Sequence, residues 1–219
     1  MDKILSGVSR FQKDVYPEHQ ELFEELANGQ APEALFLTCS DSRVDPNMIT
    51  QTKPGDLFIC RNAGNIVPPH LLQGGGMTAS IEFGVAALNV KHLIVCGHTD
   101  CGAMKGALNP NGLDALPHVR DWLSHSFAAV SVVKELNTPE DELLDRLTEH
   151  NVLLQLQHLR THPAVAAKLA TDELQLHGWV YDIESGEVRA YDFDSRTWLP
   201  LGEAERIKHH LGDHTHAAQ

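Results

Sequence analysis

No run of apolar residues in the sequence approaches the roughly 20 needed to span a bilayer, so no membrane partner is expected. Basic residues are also scarce. The 17 Lys and Arg against 30 Asp and Glu leave a formal charge of −13, which argues against nucleic acid or an anionic membrane as a partner. Four cysteines in 219 residues are too few for a disulfide framework, and they point instead to metal binding or catalysis. The opening Met1-Asp2-Lys3-Ile4-Leu5-Ser6 lacks the basic-then-apolar start of a signal peptide, so the expected compartment is the cytoplasm. There is no internal repeat, linker or low-complexity segment. A chain of this length that is 42% hydrophobic can bury one sizeable core, and 1–219 reads as a single domain.

What is present alternates between strand and helix. Ile4, Val8, Phe11 and Val15 recur at helical spacing until Pro17 interrupts, and Leu22, Phe23 and Leu26 continue on a second helix ending at Asn28-Gly29. Residues 1–29 therefore form a helical arm whose apolar stripe has no obvious partner nearby. A core over 30–116 follows, with strands at 34–39, 57–60 and 92–96 and a helix at 77–89; the alternation implies a largely parallel sheet with right-handed crossovers. Residues 117–171 read as helical, with Thr138-Pro139-Glu140-Asp141 as a capped start and Leu143, Leu147 and Leu154 on one face. Two strands flank Ser185-Gly186 as a terminal hairpin over 172–195. The tail at 209–219, with His209, His210, His214 and His216, reads as polar and mobile. Gly74-Gly75-Gly76 precedes a helix but lacks the Lys-Ser/Thr of a phosphate loop.

The chemistry gathers at strand ends. Cys39 ends one apolar run, and His98 and Cys101 follow another in His98-Thr99-Asp100-Cys101-Gly102. If those strands are parallel neighbours, the three converge at carboxyl ends, where open α/β sheets bind ligands. Two thiolates and an imidazole suit zinc, and three ligands leave a fourth position open, as in catalytic sites. Buried cysteines on apolar strands are the plainer alternative, and Cys60 and Cys96 read as such core residues. In Cys39-Ser40-Asp41-Ser42-Arg43, a guanidinium beside Asp41 keeps that carboxylate ionised and able to accept from a water, although a surface ion pair would look the same.

Cys39-Ser40-Asp41-Ser42-Arg43-Val44 followed by His98-Thr99-Asp100-Cys101-Gly102 resembles the β-class carbonic anhydrases, in their plant-type and cyanobacterial-like branch. Phe58-Ile59-Cys60-Arg61-Asn62-Ala63-Gly64-Asn65, Pro68-Pro69 and Ala79-Ser80-Ile81-Glu82-Phe83 resemble the family as well, and the likeness spans roughly 30–195. The resemblance implies an α/β fold: a central, mostly parallel sheet with an antiparallel edge strand, flanked by helices, whose N-terminal helices pack on a partner subunit in a homodimer or a dimer-based higher oligomer. It implies one Zn2+ per chain on Cys39, His98 and Cys101, a lyase activity converting CO2 to bicarbonate and a proton, and Asp41 and Arg43 as catalytic residues. It also implies substrate contacts from Gln30, Phe58, Phe83 and Gly102, part of each pocket coming from across the dimer. One branch of the family closes its site with the aspartate, using a pocket whose tryptophan and glycine are replaced here by Phe36 and Thr38 beside Arg61. The resemblance therefore implies an open site with Asp41 on Arg43.

Three alternatives stand beside CO2 hydration. The same residues could hydrolyse CS2 or COS. A zinc-stabilised binding module without turnover would have no need of Asp41 and Arg43. Cysteine-dependent phosphatase chemistry is excluded, since position 45, six after Cys39, is Asp rather than Arg.

Overall fold

The apolar runs 34–39 and 92–96 are strands buried throughout except at His92, as parallel strands covered on both faces must be. The computed structural model describes residues 1–71 and 75–201; the tail expected at 209–219 and Gly74 lie outside them. Six strands, β1 (Ala34–Cys39), β2 (Leu57–Asn62), β3 (His92–His98), β4 (Gln175–Tyr181), β5 (Val188–Asp192) and β6 (Thr197–Pro200), form one sheet in the order β2-β1-β3-β4-β5-β6. The first four are parallel, and β5 and β6 run antiparallel at one edge. The edge thus has one strand more than the sequence suggests. Asp192 accepts from the backbone N–H groups of Asp194 and Ser195, and this turn sends Thr197–Pro200 back along β5.

One face of the sheet is covered by helices, above all Leu143–Leu159. Its Val152 and Leu156 pack with Leu35, Leu37, Leu93 and Val95. This helix begins at Leu143, five residues after the expected cap at Thr138. Thr138 instead donates its N–H back to Val133, closing the preceding helix Phe127–Glu135, and 140–142 form a turn. The helix starts only where its leucines meet the core. The same element buries Thr148, Glu149, Asn151 and Gln155. Glu149 is paired, accepting from Arg146 at 3.2 Å and from Arg189 of β5 at 2.6 Å.

The N-terminal arm departs from expectation at its proline. Helical backbone runs on through Asp2–Arg10, a wide turn at Phe11–Val15 and Tyr16–Glu18, so Pro17 does not break it. The break falls at His19 (φ −118, ψ 16), before Gln20–Leu26. No residue of these helices is buried, and Ile4, Leu5, Val8 and Phe11 are exposed.

The opposite sheet face carries Phe36, Ile94 and Cys96 with Trp179 and Tyr181 packed against them. At its lower end an open cavity of about 450 Å³ is lined by Glu33, Asp56, His92, His177 and Trp179 among others. His92 Nδ1 and His177 Nε2 lie 3.1 Å apart, and burial, with His92 beside it, pushes His177 down to about 4. A histidine with a depressed native pKa takes its proton more readily when unfolded, so stability is full above about pH 6.5 and falls as pH drops toward 4. His177→Leu should flatten the wild type's acid-side loss of thermal stability by up to about 3 kcal/mol across that window. Identical pH–stability curves for the two proteins would refute this role.

Candidate metal centre

β1 and β3 are parallel neighbours, so the carboxyl ends of both open onto the same rim of the sheet. Cys39 is the last residue of β1 and His98 the last of β3, and Cys101 stands immediately before the helix Gly102–Leu108. Between the ligands, Asp100 adopts a left-handed backbone conformation (φ +57) that folds the chain back toward the rim. One donor atom from each of Cys39, His98 and Cys101 lies within 4.8 Å of the others, and all three residues are buried. The spacing of the motifs thus becomes a three-donor cluster.

The donors are poised for a cation. His98 Nδ1 lies 2.8 Å from the Thr99 carbonyl, which can only accept, so Nδ1 carries the proton and Nε2 presents its lone pair. That Nε2 is buried and has no hydrogen-bond partner, an orphan shared among the described residues only with Asn65 Nδ2. The two sulfurs are 4.0 Å apart. Cys39 is held well below the ordinary thiol range by the Cys101 S–H first, helped by the Gly64 N–H at 3.4 Å and opposed by burial. Cys101 is pushed up, first by Cys39 and then by burial, although backbone N–H groups of Ala103 and Met104 favour its thiolate. The backbone N–H groups at the helix start favour the Cys101 thiolate but do not outweigh Cys39 and burial. The Cys101 proton leaves readily only when a dication balances both sulfurs. An orphaned imidazole lone pair between two such thiols fits zinc. Cys60 and Cys96 are pushed up by burial and remain core thiols.

Asp41 and Arg43 stand beside the cluster. Arg43 Nε and Nη2 donate to the two Asp41 oxygens at 2.9 and 2.8 Å, and this pairing holds Asp41 far below the usual carboxylate range. Asp41 Oδ2 is 3.9 Å from His98 Nε2. Arg61 donates to the carbonyls of Cys39 (3.0 Å) and Asp41 (2.7 Å), fixing the backbone of the loop. Phe36 packs edge-on against Trp179, and Thr38 donates to the Cys96 carbonyl at 2.8 Å.

A second loop, 62–68, supplies the N–H to Cys39, and it is held by a helix 87 to 88 residues further along the chain. Gly64 has φ +80, and a Cβ there would stand 3.0 Å from Ala103 and Met104. Asn151 donates to the Gly64 carbonyl (3.0 Å), Gln155 accepts from the Val67 N–H (2.8 Å), and Gln155 donates to Asn151 (2.8 Å). Two amides four residues apart among the leucines and valine that face the core (Leu147, Val152, Leu156, Leu159) were the available signal.

Of the other expected site residues, Gln30, Phe58 and Phe83 are set apart from the strand ends that carry the cluster, and Gly102 adjoins it. Gln30 is exposed and precedes β1, whose first residue, Ala34, lies about 16 Å from Cys39 at strand rise. Phe58 pairs with Leu35, low on β1, and its ring is 6.0 Å from that of Phe83, which is 49% exposed. Gly102 opens the helix after Cys101 and is exposed.

Comparison with known proteins agrees with this geometry. Residues 34–188 match the profile of the carbonic anhydrase family. The chain is 50% identical over 209 residues to a carbonic anhydrase of Pseudomonas aeruginosa, covering 95% of each, and 48% identical to one of Synechococcus elongatus, covering 86% of this chain and 70% of that one. Among solved structures it is similar to the β-carbonic anhydrase CcaA, with TM-score 0.88 and 44% identity over 91% of this chain and 98% of the other. A tetrameric β-carbonic anhydrase of Sordaria macrospora is similar at TM-score 0.75 and 33% identity, over 86% and 95% of the two chains.

Proposed function

Since the chain belongs to the β-class carbonic anhydrases, zinc enzymes that hydrate CO2 to bicarbonate and a proton, we propose that Cys39, His98 and Cys101 hold its metal and that Asp41 and Arg43 complete the catalytic centre. The observation that carries the assignment is the buried, unpartnered His98 Nε2 facing two thiols at the shared end of β1 and β3. Zinc bound there supplies an acidified water able to attack CO2 near neutral pH. Asp41, ionised and tied at both oxygens to Arg43, can only accept hydrogen bonds, so it orients the attacking water's O–H and leaves its lone pair toward carbon. Gly64 N–H and the Thr99 carbonyl fix Cys39 and His98 in position. The neutral substrate needs no electrostatic steering, so the −13 charge is no obstacle. Stopped-flow CO2 hydration on zinc-replete protein tests this reading, with CS2 and COS hydrolysis measured alongside. Absence of CO2 hydration would refute it.

We further propose a homodimer, or an assembly of dimers, in which Gln30, Phe58, Phe83 and Gly102 contact substrate and some of them serve the neighbouring protomer's centre. The placement of Gln30 and Phe58 far from their own Cys39 supports this, as do the exposed apolar stripe of the arm and the tetrameric relative. Deleting residues 2–16 should shift the particle mass toward the protomer and lower activity. An intact, fully active assembly after that truncation would refute the clasp. No described helix is long and apolar enough to cross a membrane, and four unpaired cysteines suit a reducing compartment, so we place the enzyme in the cytoplasm.

A further inference from the structure

Arg43 does not serve Asp41 alone. Its Nη1 donates to Asp100 Oδ2 at 2.9 Å, and its Nη2 reaches the Asp100 carbonyl at 3.2 Å. The guanidinium therefore lies between two carboxylates, one facing the ligand cluster and one facing away from it. Asp100 is in turn held by Lys105, which donates to its other oxygen. It is also one of the few non-glycine residues with a left-handed backbone, a conformation that aspartate tolerates better than most. The strained turn puts its carboxylate over the outer edge of Arg43.

Asp41 has two possible partners. One is Arg43; the other is any cation among the three donors, because Asp41 Oδ2 is only 3.9 Å from His98 Nε2 and carboxylate oxygen is itself a zinc ligand. The Asp41 backbone is fixed, its carbonyl accepting from Arg61 at 2.7 Å and from the Val44 N–H at 3.1 Å. Only side-chain rotation separates the two outcomes, and what decides between them is how firmly Arg43 is held. Arg43 is itself 43% exposed, and its side chain has two charged anchors, Asp41 and Asp100.

We propose that Asp100 is a positioning residue: by anchoring Arg43 from the outer side, it keeps Asp41 beside the metal-binding atoms rather than among them. The proposal deepens the functional reading above and rests on it. Asp100 touches neither substrate nor the donor atoms. It acts through Arg43, and Lys105 secures it.

Asp100→Gly is the informative variant, since glycine adopts φ +57 freely and preserves the turn while deleting the carboxylate. Asp100→Asn, which also tolerates that backbone, guards against misfolding and should act in the same direction more weakly. Azide binding to the cobalt-substituted proteins, read from the visible absorption of the metal, reports whether the open ligand position is free, independently of turnover. With metal content unchanged, Asp100→Gly should bind azide roughly three- to tenfold more weakly than wild type and lose kcat with little change in KM, the range expected for a partly exposed ion-pair network. Adding Asp41→Ala to Asp100→Gly should restore azide affinity at least to the wild-type value, which a purely structural role for Asp100 would not do. Wild-type azide affinity in both Asp100 variants, or no recovery in the double variant, would overturn the proposal. Should the wild type fail to hydrate CO2, the functional reading falls, while the azide titration still decides the role of Asp100.

Discussion

Cys39→Ser, His98→Ala and Cys101→Ser will each leave zinc well below one per chain and no CO2 hydration above background. Zinc must be counted after metal carried by the four tail histidines has been stripped, because His209, His210, His214 and His216 would otherwise mask the loss. The size of the effect follows from the donor set. A serine hydroxyl keeps the shape of the thiol but is a poor anionic ligand at neutral pH, so one of two charge-balancing sulfurs is lost. Removing His98 deletes the one neutral donor, whose Nε2 is already aimed into the cluster by the Thr99 carbonyl. Cys60→Ala and Cys96→Ala provide the control. Both thiols are buried with raised pKa values, and neither belongs to the cluster, so both variants should keep one zinc. Full zinc and full activity in any of the three ligand variants would overturn the assignment.

The difference between those cysteines was legible in the sequence because it depends on position within a strand. Cys39 stands at the end of an apolar run and Cys96 stands inside one, and β1 and β3 form as their unbroken hydrophobic runs predict. The parallel pairing that joins Cys39 to His98 also followed from the alternation of strand and helix. Residues whose role depends on distant partners were harder to read. Asn151 and Gln155 look like ordinary helix-surface amides until Gly64 and Val67 are seen to need them. Asp100 looked like one letter of a motif, because its bond to Arg43 joins segments 57 positions apart. β6 escaped because four residues with one tryptophan carry too little periodicity. Gln30, Phe58 and Phe83 were named only through resemblance, because their local spacing is that of an ordinary loop residue and two ordinary core residues.

Asp41→Asn and Arg43→Ala should retain one zinc per chain yet lose roughly 10- to 1000-fold in CO2 hydration, the scale of an orienting or proton-handling group. Neither residue belongs to the three-donor cluster, which is why metal should stay. Asparagine matches aspartate in shape, but one of its two acceptor oxygens becomes an NH2 donor, so it can present a hydrogen where the attacking water must present its own. In Arg43→Ala the carboxylate remains but loses both of its guanidinium bonds, at 2.9 and 2.8 Å, and with them its aim. Arg43→Lys should not rescue the rate. A single ammonium cannot reproduce the fork that bonds both Asp41 oxygens from one side and Asp100 from the other. The comparison to run is stopped-flow CO2 hydration against zinc content for all three variants. A pair that merely decorates the surface would contribute little to anything, since exposed ion pairs are worth about 0–1 kcal/mol. Wild-type rates in Asp41→Asn or Arg43→Ala would therefore reduce the dyad to such a pair and leave the reaction to the three metal ligands alone.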